Sequence, residues 1–291
     1  MSVTMPLPEG TLFVVGPTAS GKTRFALDLA EKHNGEIING DAYQVYQGLR
    51  VLSAGPSAEE LAKAPHHLFE TLSPTEELNA ALHYEAVKPI AERLSTEGKT
   101  PIIVGGSGMY LKFMTHGTSG LPEGDETMRA QMDAQPLESL VAKLQERDPE
   151  GASQINLTNR RYVSRALEIC LLTGQKMSEL KVHWKKRSAA IESQLKGYLL
   201  QWDRDSLADR IALRASEMIR SGAIEEVQAL RETASNTCRK AIGFREIESY
   251  LDGKISLERC EELILFATRQ YAKRQRTWFR KEQWLTTVDF S

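Results

Sequence analysis

The chain has 291 residues, of which 41% are hydrophobic and 26% charged, a composition typical of globular proteins. Its length is sufficient for one large α/β domain and an additional segment. Its 37 basic and 39 acidic residues leave a net charge of −2, so a nucleic-acid partner would need a local basic patch. The scattered Cys170, Cys238 and Cys260 lack metal-ligand spacing and argue against both a disulfide framework and a zinc site. With no secretory signal and no apolar run near the roughly 20 residues that span a bilayer, we expect a cytoplasmic protein without membrane contact.

The first motif along the chain is a complete phosphate-binding loop. It consists of Gly16, Pro17, Thr18, Ala19, Ser20, Gly21, Lys22 and Thr23. The apolar run 11–15 predicts a buried strand before it, and residues 22–33 predict the helix after it. The glycines let backbone N–H groups turn toward an anion, Lys22 adds a full positive charge, and the Thr23 hydroxyl can hold Mg²⁺. The loop predicts a site for a diphosphate or triphosphate; the alternative is an ordinary glycine-rich turn.

A second candidate site residue follows the next predicted strand, residues 36–40. Ligands of open α/β sheets bind at the carboxyl ends of the strands, so Asp41 should face the phosphate loop. The alternative is an aspartate that caps a turn or helix. Further on, Ser57 to Glu60 form a capping box, and a strand is expected around 66–72. Adjacent residues of a strand point to opposite faces, so the pair His66-His67 is not expected to bind a metal.

The predicted strand 101–104 ends in a turn that offers a hydroxyl. A helix over 79–96, with Leu82, Ala86, Ile90 and Leu94 on one stripe, precedes the strand 101–104. The strand runs into Gly105-Gly106-Ser107-Gly108, where the backbone can approach a ligand and Ser107 lies beside it. A plain tight turn is the alternative.

The middle of the chain changes to helical patterns at 125–133, 137–145, 159–172 and 177–184, before strand character returns at 197–202. An all-helical stretch between strands of one sheet indicates an inserted subdomain or lid. We therefore predict an α/β fold: a P-loop NTPase-like parallel sheet core flanked by helices, formed by 1–121 and 197–291, with a helical insertion at 122–196.

The last helix, 256–282, carries Arg269, Lys273, Arg276 and Arg280 at steps of four, three and four, which places them on one face. Between Arg269 and Lys281 there are six basic residues and no acidic one. This face predicts binding to a phosphate backbone, and a solvated surface is the alternative. A closing strand is expected at 283–290.

Taken together, these motifs resemble the tRNA dimethylallyltransferases, also called tRNA isopentenyltransferases, over essentially the whole chain. The matching stretches are the phosphate loop, Gly40-Asp41-Ala42-Tyr43-Gln44-Val45-Tyr46, Gly105-Gly106-Ser107-Gly108-Met109-Tyr110, Arg165-Ala166-Leu167-Glu168, Asp209-Arg210-Ile211 with Arg214, Ala241-Ile242-Gly243-Phe244-Arg245-Glu246, and residues 268–280. The resemblance implies transfer of a dimethylallyl group from dimethylallyl diphosphate to N6 of adenosine 37 in tRNA, with Mg²⁺ as cofactor. A monomer is expected.

The resemblance also implies roles for individual residues. Asp41 would be the general base and Ser107 its catalytic partner, while the phosphate loop, Arg210 and Arg214 would bind the diphosphate and Thr23 the metal. The implied tRNA-binding residues are Asp41, Ala42, Tyr43, Gln44, Ser107, Arg129, Arg161, Arg165, Lys240, Gly243, Phe244, Arg245, Lys273, Arg276 and Arg280.

The chain departs from the family pattern at three places. Serine replaces the family's threonine at 107, Tyr162 replaces an arginine, and residues 50–56 lack the usual lysine and acid. Two other functions stay open: a P-loop small-molecule kinase, which predicts ATP turnover, and a non-enzymatic RNA-binding module, which leaves the phosphate loop and Asp41 unexplained.

Overall fold

The computed structural model describes residues 4–117, 122 and 124–290. The described chain divides into two compact units. The core unit comprises residues 4–117 and 193–290, and the helical unit comprises residues 122 and 124–192. None of the helices in the described ranges is long and apolar enough to cross a lipid bilayer.

The core unit is built on one parallel sheet with the strand order β3-β2-β4-β1-β5-β6. Every pairing in it is parallel, and β1 lies between β4 and β5, with Val14 opposite Val104 and Tyr198. The strands are β1 (Leu12–Val15), β2 (Gly35–Asn39), β3 (His66–His67), β4 (Thr100–Gly105), β5 (Lys196–Trp202) and β6 (Leu285–Phe290). The predicted α/β fold with a parallel sheet is therefore confirmed.

The sheet is buried on both faces, as its apolar strands predict. All four residues of β1 are buried, and alternate residues enter different clusters: Phe13 and Val15 on one face, Leu12 and Val14 on the other. Strands covered on both sides read as continuous apolar runs because neither face meets water. The carboxyl ends of β1, β2 and β4 then form one edge, where the candidate residues lie.

Helices surround the sheet and also form a second core in the C-terminal part of this unit. They are α1 (Lys22–His33), α2 (Arg50–Ser53), α3 (Ala58–Leu61), α4 (Ala80–Thr96), α5 (Gly108–His116), α11 (Arg204–Met218), a π-helical turn (Ile219–Ala223), α12 (Ile224–Leu230), a 3₁₀ turn (Cys238–Lys240), α13 (Phe244–Leu251) and α14 (Leu257–Phe279). In the second core Tyr46, Leu49 and Leu52 pack with Ile219, Val227, Phe244 and Ile264.

Two details of the sequence-based assignment are wrong. The third strand in chain order is only two residues long, not seven, because the chain leaves the sheet edge at Leu68 and Glu70, which adopt positive φ values. The buried face of α4 is formed by His83, Tyr84, Val87, Ala91 and Leu94, whereas Leu82 is 54% exposed. The sequence pattern misses this buried face because His83 is polar and is therefore expected at the surface. In the structure His83 lies in the interior, where its Nε2 is hydrogen-bonded to the Asn39 carbonyl oxygen at 2.8 Å.

The helical unit has a core of its own. It consists of α6 (Glu126–Asp133), α7 (Leu137–Arg147), α8 (Pro149–Ser153), α9 (Arg160–Thr173) and α10 (Met177–Glu192). Leu140, Leu144, Val163 and Leu167 are almost fully buried in it. Asp148, also buried, caps α8 through Gly151 N and accepts two hydrogen bonds from Ser178. These contacts join α8 to α10 within the unit.

Close contact between two glycines brings the ends of β2 and β4 together. Gly40 N donates to Val104 O at 2.7 Å, and a Cβ on Gly105 would lie 2.3 Å from Gly40 O. Because the obstacle is backbone, we expect Gly105→Ala to lower the free energy of unfolding by about 1–3 kcal/mol. Urea denaturation measures the change.

Gly55→Ala is the matched control, since its Cβ would meet at closest only a flexible Arg50 methylene, at 3.2 Å. Equal free energies of unfolding for Gly105→Ala and the unaltered chain would contradict the prediction. They would show that the ends of β2 and β4 can move apart without loss of stability.

Candidate active site

The phosphate loop leaves β1 and enters α1, and three of its residues adopt positive φ values: 156° at Gly16, 64° at Ala19 and 85° at Gly21. Lys22 Nζ donates to Gly16 O at 3.2 Å and to Pro17 O at 2.9 Å, so the ammonium group lies across the loop. Ser20 Oγ is buried and finds no hydrogen-bond partner among the described residues. A buried hydroxyl without a partner is unfavourable, and an anion in the loop would satisfy it.

The loop residues 18–23 line one cavity of about 390 Å³, the first cavity, together with residues from distant parts of the chain. Asp41, Arg210, Arg214, Tyr271 and Gln275 contribute polar atoms to its wall. Leu52, Ile211, Met218, Ala241 and Ile242 contribute apolar surface. The first cavity therefore combines an anion-binding loop, a carboxylate and an apolar wall.

Three charged side chains in the first cavity act on one another. Burial lowers the pKa of Lys22 from its usual 10.5 to about 8; the charge of Asp41 opposes this shift and that of Arg214 adds to it. Burial also lowers the pKa of Arg214, again against the effect of Asp41. The two cations make this end of the cavity attractive to a diphosphate, because an anion would offset both their burial and their repulsion.

Asp41 and Ser107 meet as the sequence predicted, at the ends of adjacent strands. Asp41 N donates to Asn39 Oδ1 at 2.7 Å, and Asp41 Oδ1 accepts from Tyr43 N at 3.0 Å, which fixes the carboxylate. Ser107 Oγ donates to Asp41 Oδ2 at 3.5 Å. Asp41 lines the first cavity, so its fixed carboxylate can accept a proton from a group bound there.

Arg210 is held against the outside of the loop. Its Nε donates to Ala19 O at 2.8 Å, and its guanidinium lies 4.3 Å from the centre of the Trp202 ring. Trp202 Nε1 in turn donates to Ser20 O at 3.0 Å and its ring stacks on Phe290. Arg210 thus supports the loop with its Nε and keeps its other nitrogens for an anion.

Gln275 is a site residue that sequence reasoning missed. It is buried on α14, its Oε1 accepts from Thr18 N at 2.8 Å, and its Nε2 donates to Gly106 O at 2.8 Å. One side chain therefore ties the phosphate loop to the turn that carries Ser107. A buried glutamine needs hydrogen-bond partners for both its amide oxygen and its amide nitrogen, but the local sequence does not indicate which residues they are.

Helix α14 has two functional faces. Thr268, Tyr271 and Gln275 line the first cavity. The predicted basic face, Arg269, Lys273, Arg276 and Arg280, lines a second cavity of about 850 Å³ together with the exposed Phe266. The two sets alternate at helical spacing, so one helix serves both cavities. With Arg204, five basic side chains and one acidic side chain, Asp205, among the described residues line this second cavity, a balance that suits a phosphate backbone.

Of the other predicted tRNA-binding residues in this unit, Tyr43 and Gln44 line the first cavity, and Lys240 and Arg245 are exposed. The Ala42 side chain is buried, and its backbone N–H donates to Ser107 Oγ at 3.3 Å. Gly243 has a φ of 98° and packs against Leu52, so it supports the turn before α13. The Phe244 side chain is fully buried in the second core, so an RNA contact at this position would have to come from its backbone.

The arginines of the helical unit differ in their surroundings. Arg129 and Arg165 both pair with Glu168, which is 1% exposed, at 3.0 and 2.6 Å. The two arginines lower the pKa of Glu168 against the opposing effect of its burial. Arg161 is exposed on the first turn of α9. Arg129 and Arg165 therefore balance a buried charge; Arg165 lies three residues from Glu168 on the same helix, whereas the pairing with Arg129 was not indicated by the sequence.

Mg²⁺ chemistry is compatible with the donors of the first cavity. The Thr23 hydroxyl and the Asp41 carboxylate both line it. These are hard oxygen ligands of the kind that Mg²⁺ uses together with phosphate oxygens. Within the described ranges, no three or more His, Cys, Asp or Glu side chains form a metal cluster. A Mg²⁺ ion here would depend on a bound diphosphate.

Comparison with known proteins bears on this site. A family model described as "IPP transferase" matches residues 44–282. A tRNA dimethylallyltransferase from Akkermansia muciniphila is 42% identical over 97% of this chain and 94% of its own length. One from Bacillus mycoides is 38% identical over 97% and 91%. Both alignments extend beyond the family model to nearly the whole chain.

Solved structures agree with the sequence relatives. The crystal structure of the tRNA isopentenylpyrophosphate transferase from Bacillus halodurans superposes with a TM-score of 0.70 at 34% identity, covering 97% of this chain and 90% of that one. A eukaryotic dimethylallyltransferase acting on tRNA gives a TM-score of 0.82 at 27% identity, over 97% and 74%. With matches of this extent in sequence and in fold, the chain belongs to the IPP transferase family.

Proposed function

We propose that this protein is a tRNA dimethylallyltransferase that moves the dimethylallyl group of dimethylallyl diphosphate to N6 of adenosine 37 in tRNA, in the cytoplasm. The observation that carries the proposal is the composition of the first cavity. A cationic phosphate loop, an apolar wall and a fixed carboxylate lie around one space. These are the three surfaces that a diphosphate, a dimethylallyl group and an amine nucleophile require.

The residues of the site divide the reaction between them. N–H groups of the phosphate loop, Lys22 and Arg214 hold the diphosphate and stabilise the charge that grows on it as its C–O bond breaks. Mg²⁺, bound by Thr23 and the diphosphate, would add to that stabilisation. The adenine N6 forms the new C–N bond, and Asp41 accepts the proton that the amine loses. Ser107 keeps the Asp41 oxygen in place by its hydrogen bond.

One assay with one protein preparation distinguishes the three candidate functions, which are dimethylallyl transfer, a small-molecule kinase and an RNA-binding module. The protein is incubated with unmodified tRNA, labelled dimethylallyl diphosphate and Mg²⁺, and separately with ATP. We expect label in tRNA, and none in a tRNA with guanosine at position 37. ATP turnover without labelled tRNA would support the kinase, and tRNA binding without transfer would support an RNA-binding module.

The basic face of α14 is proposed to bind tRNA phosphates. Each lost phosphate contact should reduce the slope of log affinity against log salt by about 0.7–0.9. We therefore expect the double variant Arg276→Ala and Arg280→Ala to lose about 1.5 from this slope and to leave donor affinity unchanged. Filter binding of tRNA over a salt series measures it.

The control removes equal charge elsewhere: Lys32→Ala with Lys63→Ala, two exposed residues that line neither cavity. If the slope of log tRNA affinity against log salt were the same for the two double variants, the basic face of α14 would be an ordinary solvated surface.

The helical unit is proposed to contact the tRNA through Arg161. Because Arg129 and Arg165 are paired with Glu168, their substitution would lower stability as well as any affinity. Arg161 forms no ion pair with any residue that the structure describes, so it is the better probe of RNA contact in this unit.

A further inference from the structure

The hydroxyl of Ser107 has three polar neighbours, and one of them, Tyr271, has been given no role in the reaction so far. Ala42 N donates to Ser107 Oγ at 3.3 Å, Asp41 Oδ2 lies at 3.5 Å, and the Tyr271 hydroxyl lies at 3.4 Å. Tyr271 is separated from Ser107 by 164 residues and reaches it from the middle of α14.

The directions of these hydrogen bonds follow from the chemistry of the partners. A serine hydroxyl has one hydrogen and two acceptor lone pairs. A backbone N–H only donates and an ionised carboxylate only accepts, so Ser107 accepts from Ala42 and gives its hydrogen to Asp41. One lone pair of Ser107 remains, and the Tyr271 hydroxyl, as the donor, fills it.

Tyr271 is well suited to act as that donor. Burial, followed by the charge of Asp41, raises the pKa of its phenol above the usual 10, so it keeps its proton throughout the working range of an enzyme. The Arg274 guanidinium lies 5.7 Å from the centre of its ring, on the face of the aromatic group. Arg274 therefore contacts one face of the ring, and Tyr271 is itself part of the wall of the first cavity.

We propose that Tyr271 is a positioning residue that holds the Ser107 hydroxyl in the rotamer aimed at Asp41, which the unbranched serine side chain does not hold by itself. A threonine has a restricted χ1 angle, whereas serine rotates more freely. The Tyr271 hydroxyl replaces that restriction with a hydrogen bond. The inference rests on the proposed function, since it assigns a role in that same proton transfer.

The test is a double-mutant cycle in single-turnover kinetics with dimethylallyl diphosphate and tRNA both saturating. Tyr271→Phe keeps the ring and removes only the hydroxyl, and we expect it to lower the rate about 3- to 10-fold, the effect of one neutral hydrogen bond. In the Ser107→Thr background the same change should lower the rate less than about 2-fold, because the branched side chain holds its own rotamer. In the Ser107→Ala background it should have no further effect, and KM for either substrate should stay unchanged throughout.

The control is Tyr84→Phe, which removes another tyrosine hydroxyl, bonded to Pro6 O at 3.0 Å and outside the first cavity. It should lower Tm without lowering the rate, which separates lost stability from lost positioning.

Three results would overturn the inference: equal rate losses in the serine and threonine backgrounds, a further loss in the alanine background, or a rise in KM at an unchanged rate. Each would mean that Tyr271 acts independently of Ser107. Absence of any transfer by the unaltered chain would instead overturn the proposed function, and the role of Tyr271 with it.

Discussion

Asp41→Asn is expected to lower the single-turnover rate of dimethylallyl transfer by about 10²–10⁴-fold, the range that a general base contributes. Asparagine keeps the shape of the side chain and accepts from Tyr43 N, as Asp41 Oδ1 does at 3.0 Å. It cannot take the proton of the adenine amine. The expected loss is therefore in rate, while the affinities for donor and tRNA stay within about 3-fold, as for one neutral hydrogen bond.

The experiment must separate a base from a metal ligand, because Asp41 lines the same cavity as Thr23. A ligand of Mg²⁺ would lose rate that excess Mg²⁺ restores, and donor affinity would fall with it. The rate is measured with both substrates saturating over a Mg²⁺ series. A rate near that of the unaltered chain, or rescue by Mg²⁺, removes Asp41 from the role of base.

Removal of the Lys22 charge is expected to affect binding as well as rate. Lys22→Met keeps most of the stem but loses the ammonium group, and charged hydrogen bonds of this kind are worth about 10- to 10²-fold in affinity. We therefore expect the dissociation constant for dimethylallyl diphosphate to rise by that factor. Isothermal titration with the donor alone measures it, and tRNA affinity at the α14 face should not change.

The lowered pKa of Lys22 adds a dependence on pH. With a pKa of about 8 in the folded protein, Lys22 is charged below that pH and loses its proton above it. Donor affinity should therefore be constant below pH 8 and fall as the pH rises through that value. Lys22→Arg should keep its charge and flatten the profile. A fall of equal size in the arginine variant would assign the titration to another group.

Much of the site was predictable from local sequence because its chemistry is carried by short motifs. The phosphate loop needs its glycines, lysine and threonine within eight residues, and the apolar run before it is long enough to indicate a strand. Asp41 and Ser107 each follow a strand, and parallel strands end at one edge, so their meeting could be inferred from topology alone. The helical spacing of the basic residues of α14 similarly placed them on one face.

Other features depended on contacts that no local pattern records. Gln275 is bonded to Thr18 from 257 residues away, and its sequence neighbours give no sign that α14 passes between the phosphate loop and the Ser107 turn. Phe244 belongs to a motif that resembles an RNA-binding region, yet the packing of α13 on α14 buries it. Arg129 looks like a free cation in the sequence until folding brings it to Glu168, 39 residues away along the chain.

Some features were predictable from local sequence and others only from the tertiary structure, and this difference has a physical basis. Turn chemistry, hydrophobic periodicity and helix faces are set by residues within a few positions of one another, and they determined the parallel sheet, the phosphate loop and the basic face of α14. Which partner a buried polar group finds depends on how whole elements pack. Tyr271 meets Ser107, and Glu168 meets Arg129, only because buried donors and acceptors must be satisfied inside a tertiary structure that brings them together.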